Sequence, residues 1–302
     1  MMPDRYLISG LDAVCRAYRD NAPTPQYHIP EGFVDGHRGA GMIASYFLFK
    51  DGLVDPAATP ALQAMLDREW MDRPLFAASP AEAPAVAGLE PLLRLLAEVF
   101  GRANGDPHHL IFPTLALRCF RLHPGLITPY RIEGLRQMIT LNLPAQLTLE
   151  RLEIPADQPA FDASRFSEFV LAAFIRAVSF WPKFEQSYCG HILTWGSAVQ
   201  DLYVLGYTDL AGKAELSYRH YLRRCLMDDH DRFGDGKLRA EYPAHALMPD
   251  QAGFWHDRPP GNLEGTWAHL PKYAWSFLTL CRQAEDADLV ARARNLYYLL
   301  VY

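Results

Sequence analysis

The chain is predicted to be all-α, a single domain in which four copies of one helical hairpin form an α/α toroid-like ring or closed solenoid. Three observations predict this. Four 35-residue windows, at 36–70, 108–142, 190–224 and 268–302, align without gaps. Each window carries a stop-and-restart signal near its twentieth position, and three of them follow a further apolar segment of helical period. Repeats of this length mark architectures that stack one supersecondary unit on the next and share a continuous core.

The windows share a periodic skeleton. Their second position is histidine throughout: His37, His109, His191 and His269, spaced by 72 (109−37), 82 (191−109) and 78 (269−191) residues. The ninth position is small (Ala44, Ala116, Ala198, Ser276), and the thirteenth is large and apolar (Leu48, Phe120, Leu202, Leu280). Offsets of seven and eleven fall on one face of an α-helix, so each histidine lies in line with an inward stripe. The small residue admits a neighbouring helix at close range.

The remaining elements follow in order. Leu7 to Tyr18 reads as a helix before the first hairpin, whose turn is marked by Gly52 and by Asp55-Pro56, an N-cap followed by proline at the first helical position. The Pro/Ala-rich stretch from Arg73 to Gly88 is expected to cross the surface, and Leu89 to Phe100 to form the next helix. In the second hairpin Gly125 and Thr128-Pro129 repeat the turn signal, and in the third Gly206 and Asp209 do so. The three glycines are expected to end their helices in left-handed geometry. Pro144 to Ala163 reads as irregular, and Phe166 to Trp181 as helical. The long stretch from Met227 to Gly265 has no sustained period and reads as a loop, where a hairpin at Asp235-Gly236 is not required. Asp288 is expected to cap the last helix. An open superhelix is the rival geometry, and the residues do not choose between the two.

Composition narrows the functional classes. A chain of 302 residues suggests about two domains of ~150 residues, an expectation that the repeats override. Net charge is −6 and no basic run occurs, which argues against a nucleic-acid partner. No apolar run approaches the ~18 residues of a membrane span. Cys15, Cys119, Cys189, Cys225 and Cys281 are scattered without a Cys-x-x-Cys pair, so neither a disulfide framework nor a zinc knuckle is expected. The opening residues, 1–6, lack a leader pattern. Together these point to a reducing, cytoplasmic setting.

The histidines carry the chemistry. If the repeats close, equivalent imidazoles converge on one cavity, where they can hold a transition metal such as iron, copper or zinc, or act directly as acid, base and polarising groups. No Glu-x-x-His accompanies any of the four. The rival is a structural origin, in which duplication of one hairpin repeats a core histidine with no chemical role. Trp195, Tyr273, Phe112 and Trp255 are candidate substrate-binding aromatics, while Lys272 reads as solvated. The segment from Met248 to Glu264, carrying Phe254, Trp255, His256 and Asp257, runs into the fourth histidine helix and is placed to act as a lid. Asp228-Asp229-His230-Asp231 matches no metal motif, since Arg232 breaks the terpene-cyclase pattern and Phe233 the EF-hand. No Rossmann fingerprint or P-loop occurs, so no nucleotide cofactor is expected and the redox cofactor stays unknown.

Three helix heads, Asp106-Pro107-His108-His109-Leu110-Ile111-Phe112, Gly190-His191-Ile192-Leu193-Thr194 and His269-Leu270-Pro271-Lys272-Tyr273, resemble those of questin oxidase-like proteins. The resemblance implies oxidative ring opening of fused aromatic polyketides, a secondary-metabolic oxidoreductase activity, with His109, His191 and His269 in the pocket and His37 as the first copy's equivalent. The expectation is therefore an enzyme acting on a small, largely apolar or aromatic molecule. A helical-repeat scaffold or a non-catalytic small-molecule carrier are the alternatives. Oligomeric state is not legible.

Overall fold

The structure, a computed structural model, describes residues 2–19, 31–81, 83–85, 88–100, 108–141, 164–180, 186–227, 247–256, 258 and 268–301. Among these the chain is all-helical, with no strand. In chain order the helices are α1 (Asp4–Arg19), α2 (Glu31–Lys50), α3 (Thr59–Leu66), α4 (Glu90–Val99), α5 (His108–Leu122), α6 (Pro129–Leu141), α7 (Phe166–Phe180), α8 (Gln186–Val204), α9 (Thr208–Met227), α10 (Ala252–His256), α11 (His269–Gln283), α12 (Ala287–Leu296) and α13 (Tyr298–Val301). Each repeat window thus opens on a long helix, turns, and continues in a second.

The turn chemistry behaves as predicted in part. Asp55 accepts from the Ala57 N–H at 2.9 Å and caps a short 3-10 turn that begins at Pro56. The Thr128 hydroxyl faces the Arg131 N–H at 3.4 Å, just before Pro129 opens α6. Gly52 and Gly206 adopt positive φ, at 63° and 87°. Gly125 does not: it lies inside a 3-10 turn, Pro124–Leu126, where no left-handed residue is needed. Asp209 and Asp288 are not caps either, because each sits in the first turn of its helix, and Asp286 caps α12 by accepting from Leu289 N at 2.9 Å. Acidic groups there still complement the helix dipole.

The four leading helices form the centre. α2 packs on α5, α5 on α8, α8 on α11, and α11 returns to α2. Their inward faces are those predicted: Ala44, Ala116, Ala198 and Ser276 are buried, as are Leu48, Phe120, Leu202 and Leu280. Around this four-helix array α1 covers α2 and α6, α7 covers α8 and α12, and α9 covers α8. One buried apolar cluster runs from Met2 to Leu300. α1 and α2 cross at Gly10 and Gly39, where a Cβ on Gly39 would stand 2.8 Å from the Gly10 carbonyl oxygen, so only glycine permits that approach.

The described residues between Arg73 and Gly88 cross the surface as expected, mostly exposed or half-buried, with anchors to the body. Phe76 is buried, and Ser79 N donates to Asp12 Oδ2 at 3.0 Å. Asp12 also accepts from Arg131 Nε at 2.8 Å, a buried pair that ties α1 to α6. The segment 248–256 packs against α3 and the turn at Pro56, held by Asp55 N to Asp250 O at 2.9 Å and by Arg294 to Asp250 at 2.7 Å. That contact lies at the far end of α2 from His37, thirteen residues or roughly 20 Å along the helix. The described part of the expected lid therefore does not cover the histidines. Asp257, Glu264, the aspartate run at 228–231, the hairpin at 235–236 and the stretch 144–163 lie outside the described residues, as does the Cys225 side chain. No described helix is long and apolar enough to cross a membrane.

A polar network closes the distal end of the array. Arg118 on α5 pairs with Asp51, at the end of α2, at 2.7 Å and with Asp201 on α8 at 3.0 Å. Trp275 Nε1 on α11 donates to Asp51 Oδ2 at 3.3 Å, and Arg282 to the Asp51 carbonyl. Burial raises the Asp201 carboxyl to about 6, against the partial opposing pull of Arg118. Because its folded value lies above the ordinary ~3.9 of the unfolded chain, its contribution to stability is complete below that value and is lost as pH rises through about 6. Asp201→Asn stays neutral at every pH. Wild-type minus variant stability, from urea melts, should therefore fall between pH 4 and 6 and level off above; a flat difference would contradict this assignment.

Candidate metal centre

At the opposite end of the same four helices, His37, His108, His191 and His269 converge. One ligating nitrogen from each lies within 4.8 Å of all the others. The imidazole centroids run around the group at 4.3 Å (37 to 108), 4.8 Å (108 to 191), 5.0 Å (191 to 269) and 4.7 Å (269 to 37), with 6.3 Å across from 108 to 269. The order around the group is the order of the hairpins along the chain. His37, His108 and His269 are buried, whereas His191 is partly exposed and gives the group its side towards solvent.

The second member is His108, not His109. His109, which the repeat register selects, is also buried, but its ring stands between Phe100 and Trp195, 6.1 Å from each, towards α4 and α8. One residue along an α-helix is a rotation of ~100°, so consecutive histidines serve different neighbours. The gapless alignment points to His109, and the ring that joins the group is the one a residue earlier. Pro113 has no N–H to give the His109 carbonyl one turn earlier.

One of the nitrogen pairs has the spacing of two ligands on a first-row transition ion, and the group as a whole gathers within 4.8 Å. Metal–imidazole bonds of about 2.0–2.1 Å imply tetrahedral nitrogen separations of roughly 3.3 Å. His191 Nε2 and His269 Nε2 are 3.2 Å apart, a separation that also suits one imidazole N–H donating to the other's lone pair. The group contains no carboxylate or thiolate among the described residues, and an all-imidazole set suits zinc, copper, iron or nickel rather than magnesium or calcium.

The surroundings are aromatic. Phe112, one turn after His108, meets His37 edge-on at 5.1 Å and His108 at 5.2 Å. Tyr273 stacks on His269 at 4.9 Å with planes 6° apart, and burial pushes its phenol well above the ordinary value, keeping it protonated. Trp195 stands off the group, against His109, Tyr218 and Tyr221. Trp255 is buried beside Phe254 and donates to the Pro249 carbonyl at 2.8 Å, in the segment that packs near Pro56. Of the four aromatics expected from sequence, Phe112 and Tyr273 therefore border the histidines, while Trp195 and Trp255 stand elsewhere.

Lys272 is not solvated. It is 2% exposed on the inward face of α11, its Nζ lies 5.4 Å from the centre of the Phe112 ring, and desolvation holds its basicity well below that of an ordinary lysine.

Tyr273 is held from behind by Gly190, the residue before His191. A Cβ at Gly190 would stand 2.0 Å from Tyr273 Cζ. The tyrosine cannot retreat without unstacking from His269, so Gly190→Ala should cost about 1–3 kcal/mol through overpacking and disturb His191 and His269 together. A melt paired with a metal titration checks this, and unchanged values in both would remove the wedge from the account.

No family model, curated protein or solved structure matches the chain.

Proposed function

We propose that the chain is a metal-dependent enzyme that holds one divalent first-row transition ion on His37, His108, His191 and His269 and acts oxidatively on a small, largely apolar or aromatic molecule. The observation that carries this reading is the meeting of four imidazole nitrogens within 4.8 Å, one from each hairpin. Bringing three polar rings wholly and a fourth partly out of water into an aromatic interior is unfavourable unless their lone pairs are used. A bound ion would use all four and would supply Lewis-acid or electron-transfer chemistry.

Each part of the chain has a task in this scheme. Phe112 and Tyr273 exclude water and fix ring orientations, and the partly exposed His191 edge gives access. The cyclic packing of α2, α5, α8 and α11 supports a toroid-like closure, in which equivalent helix heads face one centre. The resemblance of the helix heads to questin oxidase-like proteins supports oxidation of fused aromatic substrates, with His108 replacing His109 as the second hairpin's contribution. Cys15, Cys119 and Cys281 are free thiols, which suits a reducing compartment such as the cytoplasm.

The His191–His269 contact favours one rival, a purely structural polar core in a scaffold protein. Elemental mass spectrometry of protein purified without a histidine tag separates the two. About one equivalent of zinc, copper, iron or nickel is expected. After chelation, re-addition at a hundred times the dissociation constant should restore roughly 2.7 kcal/mol of stability. A protein that takes up none of these ions at micromolar concentrations, and melts identically with and without them, is not the metalloenzyme described.

A further inference from the structure

Beneath the imidazoles a primary amine crosses the array. Lys272 follows His269 by one turn on α11, yet its Nζ reaches the Phe112 ring on α5, the helix diagonally opposite in the cyclic order. That ring also touches His37 and His108, so amine, benzene ring and imidazoles share one interior region. Lysines seldom end there: they extend their ammonium to water or pair it with a carboxylate. Lys272 is 2% exposed, and its contact is with an aromatic face. Burial lowers the basicity of its amine well below that of an ordinary lysine, the direction that favours a nucleophilic lysine.

From this placement we infer that Lys272 is a covalent capture site for a small apolar aldehyde or ketone, held as an imine beneath the four histidines. The inference deepens the reading of this interior as a small-molecule site and does not require the metal. Nζ attacks the carbonyl carbon, and the carbonyl π pair moves to oxygen, which takes up a proton. The carbinolamine then loses water as nitrogen re-forms a double bond to carbon and releases its proton. Amine and carbonyl become imine and water, with no change of oxidation state. His37 and His108, which border the same Phe112 ring, are the groups suited to carry the proton in both steps. The aromatic lining selects apolar carbonyl compounds over sugars or amino acids.

Reductive trapping tests this. Native protein, chelated or metal-loaded, is incubated at pH 7 with propanal or 2-naphthaldehyde and sodium cyanoborohydride, then digested for peptide mass spectrometry. Ordinary lysines are free amines to less than about one part in a thousand at that pH. The adduct at Lys272 should therefore exceed those at the exposed Lys50 and Lys213 by at least about tenfold. Unfolding in urea should erase that preference. Lys272→Met, which keeps an unbranched apolar stem, should retain the fold and metal stoichiometry while losing the adduct. Equal labelling of all three lysines by both probes, or none at Lys272 when the unfolded chain is labelled there, would overturn the proposal. Metal uptake without the imine sinks this inference alone, and the imine without metal uptake sinks the metal reading alone.

Discussion

If the four histidines hold an ion as proposed, His108→Ala will weaken metal binding by more than the 10–100-fold that loss of an outer-shell partner typically costs, while His109→Ala will leave the affinity nearly unchanged. The two residues are neighbours and both are buried, but only His108 joins the nitrogen group. The second substitution acts elsewhere. It empties a site between Phe100 and Trp195, and deletion of a buried ring there should cost about 3 kcal/mol by cavity formation. Affinity from competition with a chromogenic chelator, set beside urea midpoints, gives both axes. The pattern is crossed: affinity lost at 108, stability lost at 109. If the two variants exchange roles, the register read directly from the repeats is right and the geometry is wrong.

The largest stability effect is expected far from the metal centre. Arg118→Met should cost about 3–5 kcal/mol, because it leaves Asp201 buried without its counter-charge and Asp51 with only the Trp275 indole among its side-chain partners at that end. Breaking such a cluster by one member is worse than replacing it whole. Adding Asp201→Asn should therefore recover a substantial part of the loss, and the double-mutant cycle should show coupling well above the ~0.5 kcal/mol scatter of independent sites. Strict additivity would mean that Arg118 is solvated in solution and the network is not formed.

Much of the architecture was legible because it rests on periodicity. The spacing of His37, Ala44 and Leu48, repeated in each window, specifies a helix with one inward face, and Asp55-Pro56 and Gly52 mark where it turns. The same register puts His37, His191 and His269 on equivalent helix heads, and their convergence required in addition that the repeats close, which the residues alone do not decide. What escaped was anything decided by a single step of rotation or by burial. Counting residues selects His109, yet ~100° of helix turns its ring aside and brings His108 into the group. Lys272 was set aside because lysine is ordinarily exposed. Its inward position was nonetheless implied by i, i+3 from His269, a signal that outweighs residue type when the face is already known. Trp255 was misplaced for another reason: a segment's nearness in sequence to a helix start does not fix where its side chains pack. Gly125 shows the same limit at a turn, where a 3-10 geometry met the need that a left-handed residue was expected to fill.

The return of α11 onto α2 has a consequence for how the protein is made. His37 and His269 are 232 residues apart (269−37), yet their rings are 4.7 Å apart. Closing so long a loop contributes slowly growing entropy but delays the contact until its far end exists. During synthesis three imidazoles can assemble before the fourth has left the ribosome. The full set of four histidines appears only when the last hairpin docks, so on the proposed metal reading capture of the ion and completion of the chain would be the same event.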